Sequence, residues 1–140
     1  MEHFGEFIVN HIGLWIAFIV ILALVLINEW LGQKSKAKEL STSEAVKLMN
    51  DEDAKVFDLR EQEAYKAGHI MNAIRVDQNE LDKDSLKKHK QHPIILVCNR
   101  GLQSQSAATK LRAQEFEKVY VMAGGMSSWM SADLPIVKGK

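Results

Sequence analysis

The sequence predicts an α/β domain with a mostly parallel sheet, preceded by one membrane-spanning helix. Three observations carry this reading. The first 33 residues hold the longest apolar run of the chain and no Lys or Arg. The remainder alternates short strand-like and helix-like segments, the pattern of β-α units around a parallel sheet. Within it, Ile94-Ile95-Leu96-Val97 is apolar without a break, as a central strand covered on both faces must be. The expected organisation is an anchor over 1–33, a basic linker over 34–39 and a folded domain over 40–140.

The anchor comes first. Ile12 to Ile27 carries no charge, and counting from Phe7 the stretch is 21 residues long. As a helix this spans roughly 31 Å, against about 30 Å of hydrocarbon. It is apolar all round, which disfavours a helix lying on the surface. Trp30 sits where an interfacial indole belongs, and Asn10 and His11 fall near the opposite, wetted interface. A cleaved signal peptide needs a basic start, a shorter apolar centre and a small-residue cleavage site. Here the start is acidic and no Ala-x-Ala follows. Lys34, Lys36 and Lys38 flank the C-terminal end only. Positive flanks stay on the cytoplasmic side, so the N-terminus is expected outside and the domain in the cytoplasm.

Ser41-Thr42-Ser43-Glu44 has capping-box spacing and starts a helix reaching about Asn50. Lys55 to Leu59 reads as a strand, Glu61 to Ala67 as a brief helix stopped by Gly68, and Ala73 to Val76 as a short strand. Leu81 to Lys90 reads as a charged surface helix. Pro93 opens the central strand, Gln103 to Ala113 is the next helix, and Val119 to Met122 the last strand. Gly124-Gly125 and a short helix containing Trp129 follow.

Composition narrows the function. All 18 basic residues lie from Lys34 onward, with 15 of the 18 acids, so the last 107 residues carry about +3. That is too mild and dispersed for a nucleic-acid partner. The single cysteine, Cys98, cannot close an internal disulfide, so the fold does not depend on an oxidising compartment. No His/Cys/Asp grouping has metal-ligand spacing, and Met122, Met126 and Met130 read as core filler.

A lone cysteine without context reads as a small buried hydrophobe. The context of Cys98 is different. It ends the central strand, and Asn99, Arg100, Gly101, Leu102, Gln103 and Ser104 lead from it into a helix. Ligands of open α/β sheets bind beyond the carboxyl ends of strands. A helix start presents unpaired N–H groups and partial positive charge. A thiol there is favoured as thiolate, its nucleophilic form, with the Arg100 charge close by. Gly101 permits a tight turn, and a ring of N–H donors forms an anion nest.

This loop resembles the active-site loop of rhodaneses, Cys-x-x-Gly-x-Arg-Ser. Asp58-Leu59-Arg60 resembles the family's Asp-x-Arg strand end. Glu63 to Ala73 resembles its Glu-x-x-x-x-Gly-His-Ile-x-x-Ala segment, and Gly124-Gly125 with Trp129 and Pro135 its C-terminal close. Each motif alone is weak; four in order across 40–138 identify a rhodanese-like domain, most similar to small membrane-tethered proteins of the bacterial inner membrane. The resemblance implies a three-layer α/β fold and sulfur transfer. In that chemistry Cys98 takes sulfur from a donor such as thiosulfate or a persulfidated protein. It passes the sulfur to cyanide or a thiol, without a dissociable cofactor. Two positions depart from the pattern. Gln103 stands where many members have Arg, and Glu115 where a Gly often follows the helix.

Asp58 and Arg60 admit two readings, support of the loop or substrate, and an ion pair closing the strand end. His69 resembles a structural family residue, since sulfur transfer to a thiolate removes no proton. Two rivals remain. Phosphatases and arsenate reductases related to rhodaneses use Cys-x-x-x-x-x-Arg, but here the sixth residue after Cys98 is Ser104, so no guanidinium clamps a phosphoryl group. The other rival is a tethered binding module with weak or no activity, since fold does not fix function.

Overall fold

The computed structural model describes residues 2–140, apart from the side chains of residues 2–4 and 33–35. The chain divides into two units, Met1–Ser35 and Lys36–Lys140. In the first, helix α1 (Glu2–Asn10) meets helix α2 (Ile12–Ser35) at His11. The His11 N–H lies 3.2 Å from the Phe7 carbonyl oxygen, so helical bonding continues through the junction. Ile12–Gly32 is a 21-residue segment long and apolar enough to cross a membrane, and none of it is buried within the structure.

The second unit contains strands β1 (Lys38–Leu40), β2 (Lys55–Asp58), β3 (Ile74–Arg75), β4 (Ile94–Val97) and β5 (Val119–Met122). They form one sheet in the order β1-β5-β4-β2-β3, and every pairing is parallel. The connecting helices are α3 (Thr42–Glu52), α4 (Gln62–Ala67), α5 (Asp84–Lys87) and α6 (Ser104–Ala113), with α7 (Gly125–Ser131) after β5. The capping box is formed. The Ser41 hydroxyl accepts the Glu44 N–H, and the Glu44 carboxylate accepts the Ser41 N–H at 2.8 Å. The Ser41 N–H and the Ser41 hydroxyl, which donates to Glu44 Oε2 at 2.9 Å, hold the Glu44 carboxyl below the usual carboxylate range.

β4 is the middle strand, and all four of its residues are buried. Pleating divides it between two cores. Ile94, Leu96 and Cys98 pack with Phe57, Leu111 and Val121 on one face. Ile95 and Val97 pack with Val56, Met122 and Trp129 on the other. Helices cover both faces, giving the expected three layers.

Two elements differ from expectation. The segment read as a linker holds Ala37, which is buried, and edge strand β1. In β1 only Leu40 is buried, so the strand has a single apolar residue to mark it. The helix expected over Leu81 to Lys90 shrinks to one turn, α5, preceded by a 3-10 turn over Gln78–Glu80. Leu81 and Leu86 are both buried. A separation of five residues does not share one helix face, so the chain bends to bury both.

Candidate active site

Cys98 stands at the carboxyl end of β4. It is 2% exposed. The chain then turns through Asn99 to Gln103 and starts α6 at Ser104. The Gly101 N–H donates to Cys98 Sγ at 3.0 Å. Gly101 holds a φ of +86°, and a Cβ there would lie 3.1 Å from the Gly124 nitrogen. Only glycine meets both constraints.

The loop is locked from behind by the start of α7. Met126 N–H donates to the Cys98 carbonyl at 2.8 Å, and Ser127 N–H to the Asn99 carbonyl at 3.1 Å. Gly125 approaches so closely that a Cβ would collide with the Cys98 carbonyl oxygen. The Gly124-Gly125 pair therefore sets the height of the cysteine, a role that adjacency in sequence did not reveal.

A cavity of about 350 Å³ opens over the sulfur, lined by Cys98, Asn99, Arg100, Leu102 and Gln103. Asn99 and Arg100 are exposed, and Leu102 is 83% exposed. The Gln103 Oε1 accepts a hydrogen bond from Gln78 Nε2 at 3.1 Å, which ties the 3-10 turn to the rim. Gln78 was not anticipated: no local pattern marks a contact across 25 residues. Ser104, the first residue of α6 after the loop, is fully buried. Among the described residues its Oγ is the only buried side-chain polar atom with no hydrogen-bond partner.

Asp58 and Arg60 close the end of β2. Both are buried, with Arg60 Nη2 2.7 Å from Asp58 Oδ2. Arg60 Nε donates to Asp58 Oδ1 at 3.0 Å and Nη2 to the Gly68 carbonyl at 2.7 Å. The ion pair pins the loop after α4. Leu59 N–H donates to the Val97 carbonyl beside Cys98, so the pair borders the site through backbone. His69 is buried and stacked on Tyr65 at 3.8 Å, with Nδ1 2.8 Å from the Tyr65 carbonyl oxygen. Burial and the Asp58 charge push the Tyr65 phenol up, keeping it the donor to the Ala73 carbonyl.

Glu115, the second departure, has a φ of +69°. Its N–H donates to the Arg112 carbonyl and that of Phe116 to the Leu111 carbonyl, both at 3.2 Å. This is the Schellman closure of α6, at the position where glycine is usual.

The family model for the rhodanese-like domain matches residues 41–132. The chain is 36% identical to the uncharacterized protein YibN of Escherichia coli K12 over the whole of both chains. It is also 36% identical to the thiosulfate sulfurtransferase GlpE of Pseudoalteromonas translucida, over 68% of this chain and 90% of that one. A rhodanese-related protein from Thermoplasma volcanium superposes with a TM-score of 0.62 at 20% identity, covering 73% of this chain and 99% of that one; it shares the fold. On the sequence matches and the shared fold, this chain belongs to the rhodanese-like domain family.

Proposed function

We propose that this protein is a membrane-tethered sulfurtransferase that carries sulfane sulfur as a persulfide on Cys98. The observation that carries the reading is the Gly101 N–H donated to Cys98 Sγ at 3.0 Å, in a loop held at the N-terminus of α6. Partial positive charge at a helix start favours charge on sulfur. In the first step the Cys98 thiolate attacks the outer sulfur of thiosulfate. The S–S bond of thiosulfate breaks, its electron pair leaves with sulfite, and a Cys98 persulfide anion remains. In the second step cyanide or a thiolate attacks the outer sulfur, and the pair of the breaking bond returns to Cys98. This is covalent catalysis split into two displacements.

The loop from Asn99 to Ser104 supplies the donors for the charged sulfur. Arg100 adds the full charge near the mouth, and the orphaned Ser104 hydroxyl supplies a donor kept for the loaded state. A buried hydroxyl left without an acceptor is costly, which is why such groups are rare and call for a cause. Asp58 and Arg60 support the loop from the neighbouring strand. The α2 segment anchors the chain in the bacterial inner membrane. The flank of Lys34, Lys36 and Lys38 supports a domain on the cytoplasmic side.

The test is mass spectrometry of the full chain after thiosulfate. One added sulfur on Cys98, absent in Cys98→Ser, is the expected result. If no donor loads Cys98 and wild type transfers no more sulfur than Cys98→Ser, the enzyme reading fails. The tethered binding module then becomes the better account. A reporter active only in the periplasm, fused after Lys140, should be silent; strong activity would reverse the orientation.

A further inference from the structure

The start of α6 lacks the local bond that usually fixes a helix start. Gln103 is its N-cap residue, already in the right-handed helical region at φ −82° and ψ −21°, and its side chain makes no capping bond. Glutamine is not among the residues that cap well. α3, by contrast, is capped from within by Ser41. Among the described residues, the one side-chain hydrogen bond of Gln103 goes 25 residues back along the chain, to Gln78.

Gln78 stands on a braced turn. It opens the 3-10 turn Gln78–Glu80, and the preceding Asp77 side chain accepts the Asn79 N–H at 3.1 Å. Val76 N–H donates to the Asp58 carbonyl at 2.9 Å, and Leu81 after the turn is fully buried. Arg75 ties the same stretch to the end of β2. Its Nε donates to the Arg60 carbonyl at 3.1 Å, and its Nη2 lies 3.7 Å from Asp77 Oδ2. The turn is thus held by the ends of β2 and β3, through contacts that do not involve the loop after Cys98. Gln103 lines the cavity over the sulfur and Gln78 does not.

We propose that Gln78 is a positioning residue for sulfur transfer, acting through Gln103 to hold the first turn of α6 and the loop before it in the geometry that stabilises charge on the Cys98 sulfur. This rests on the sulfurtransferase reading. Gln78 touches no reactant, so it does not set how tightly a donor binds. Its effect falls on the step in which the Cys98 thiolate takes the outer sulfur of thiosulfate and sulfite leaves with the bonding pair. N–H donors lower that barrier only when they are already aimed where the charge develops.

The test follows loading of Cys98 in single turnovers, with the full chain in detergent and thiosulfate varied to saturation. Gln78→Met keeps the length of the side chain and removes the hydrogen bond, and Gln103→Met removes the other partner. The bond is exposed, so its loss leaves the core untouched. An arginine at 103 would mix loss of the bond with gain of a cation. Gln78→Met is expected to lower the saturating loading rate about threefold, with the half-saturating thiosulfate concentration unchanged. The double variant should be no slower than Gln103→Met alone, since a bond with one partner gone cannot be lost again. Gln105→Met is the control. It removes two side-chain bonds to Ala37, 3.1 Å each, from the same helix, and should load Cys98 at the wild-type rate. A Gln78→Met rate equal to wild type, losses that add in the double variant, a change confined to half-saturation, or an equal loss in Gln105→Met overturns the proposal and leaves the sulfurtransferase reading intact. Failure of wild type to load Cys98 at all overturns both.

Discussion

Replacing Ser104 by Ala separates stability from chemistry at one atom. The hydroxyl is fully buried and has no partner. Burying an unpaired hydroxyl costs about 1–3 kcal/mol. Removing it leaves an oxygen-sized void, worth roughly 0.3 kcal/mol at about 24 cal/mol per Å³. Alanine also adds about 0.5 kcal/mol of helix propensity in the same direction. The expected result is a domain more stable by about 1–3 kcal/mol, with Tm raised by at least about 4 °C. Sulfur transfer should move the other way. A hydrogen bond to a charged group contributes about 1.5–3 kcal/mol, so loss of the donor to the persulfide should lower kcat/KM by about tenfold to a hundredfold. Thermal unfolding and thiosulfate-to-cyanide turnover, measured on the same preparation, read both numbers. A gain below about 0.5 kcal/mol would be propensity alone and would refute the orphaned hydroxyl. A loss of stability would mean that Ser104 is hydrogen-bonded after all, and unchanged kcat/KM would remove it from the sulfur site.

Three further outcomes are expected. Gln103→Arg breaks the exposed bond to Gln78 and places a cation at the rim. It should raise kcat/KM for thiosulfate about tenfold, a gain of about 1.4 kcal/mol, and no gain in steady-state assays would show that Arg100 already suffices. Glu115→Gly relieves a left-handed residue at the end of α6. Its contact with half-buried Lys90 is long, at 3.8 Å, and its own carboxylate is exposed, so the pair contributes little. Stability should therefore rise by about 1 kcal/mol, and a denaturation midpoint that falls would refute the cap argument. Removing residues 1–35 should leave a soluble domain that unfolds cooperatively, whereas removing 1–40 takes away β1 and buried Ala37 and Leu40 and should not. Aggregation of the first truncation, seen by gel filtration, would make the anchor part of the fold.

What could be read in the sequence was set by the range of the signal. The capping box of α3 needs four consecutive residues and formed as written. β4 needed only a run of apolar residues, and its burial on both faces follows from that run. The strain at Glu115 was visible because a glycine is usual there. The missed features depend on partners far along the chain. β1 has three residues, two of them exposed, and exists because its backbone pairs with β5. Leu81 and Leu86 look helical in a charged segment until the core claims both. The Gln78–Gln103 pair and the contact of Gly125 with the Cys98 carbonyl join segments that no local period connects. The loop residues could be named from their motif, but the groups that hold the loop in place could not.

That division bears on how the site works. Every strand is parallel, so the chain starts the second unit at the amino ends of the strands, while Cys98 lies at the carboxyl ends. Lys38 is level with Tyr120, and Tyr120 with Ile95. Cys98 is therefore about three strand residues beyond the level of Lys38, roughly 10 Å at about 3.3 Å per residue. The cavity opens at the end of the sheet away from the first residue of the domain. Its cysteine is held by Gly101, Gly125 and Met126. What that segment does touch is α6. The Gln105 side chain pairs with the N–H and C=O of Ala37, both at 3.1 Å, and Arg112 donates to the Lys36 carbonyl at 3.2 Å. The start of the second unit is thus fastened along the helix whose first residue is Ser104, not to the loop that carries Cys98.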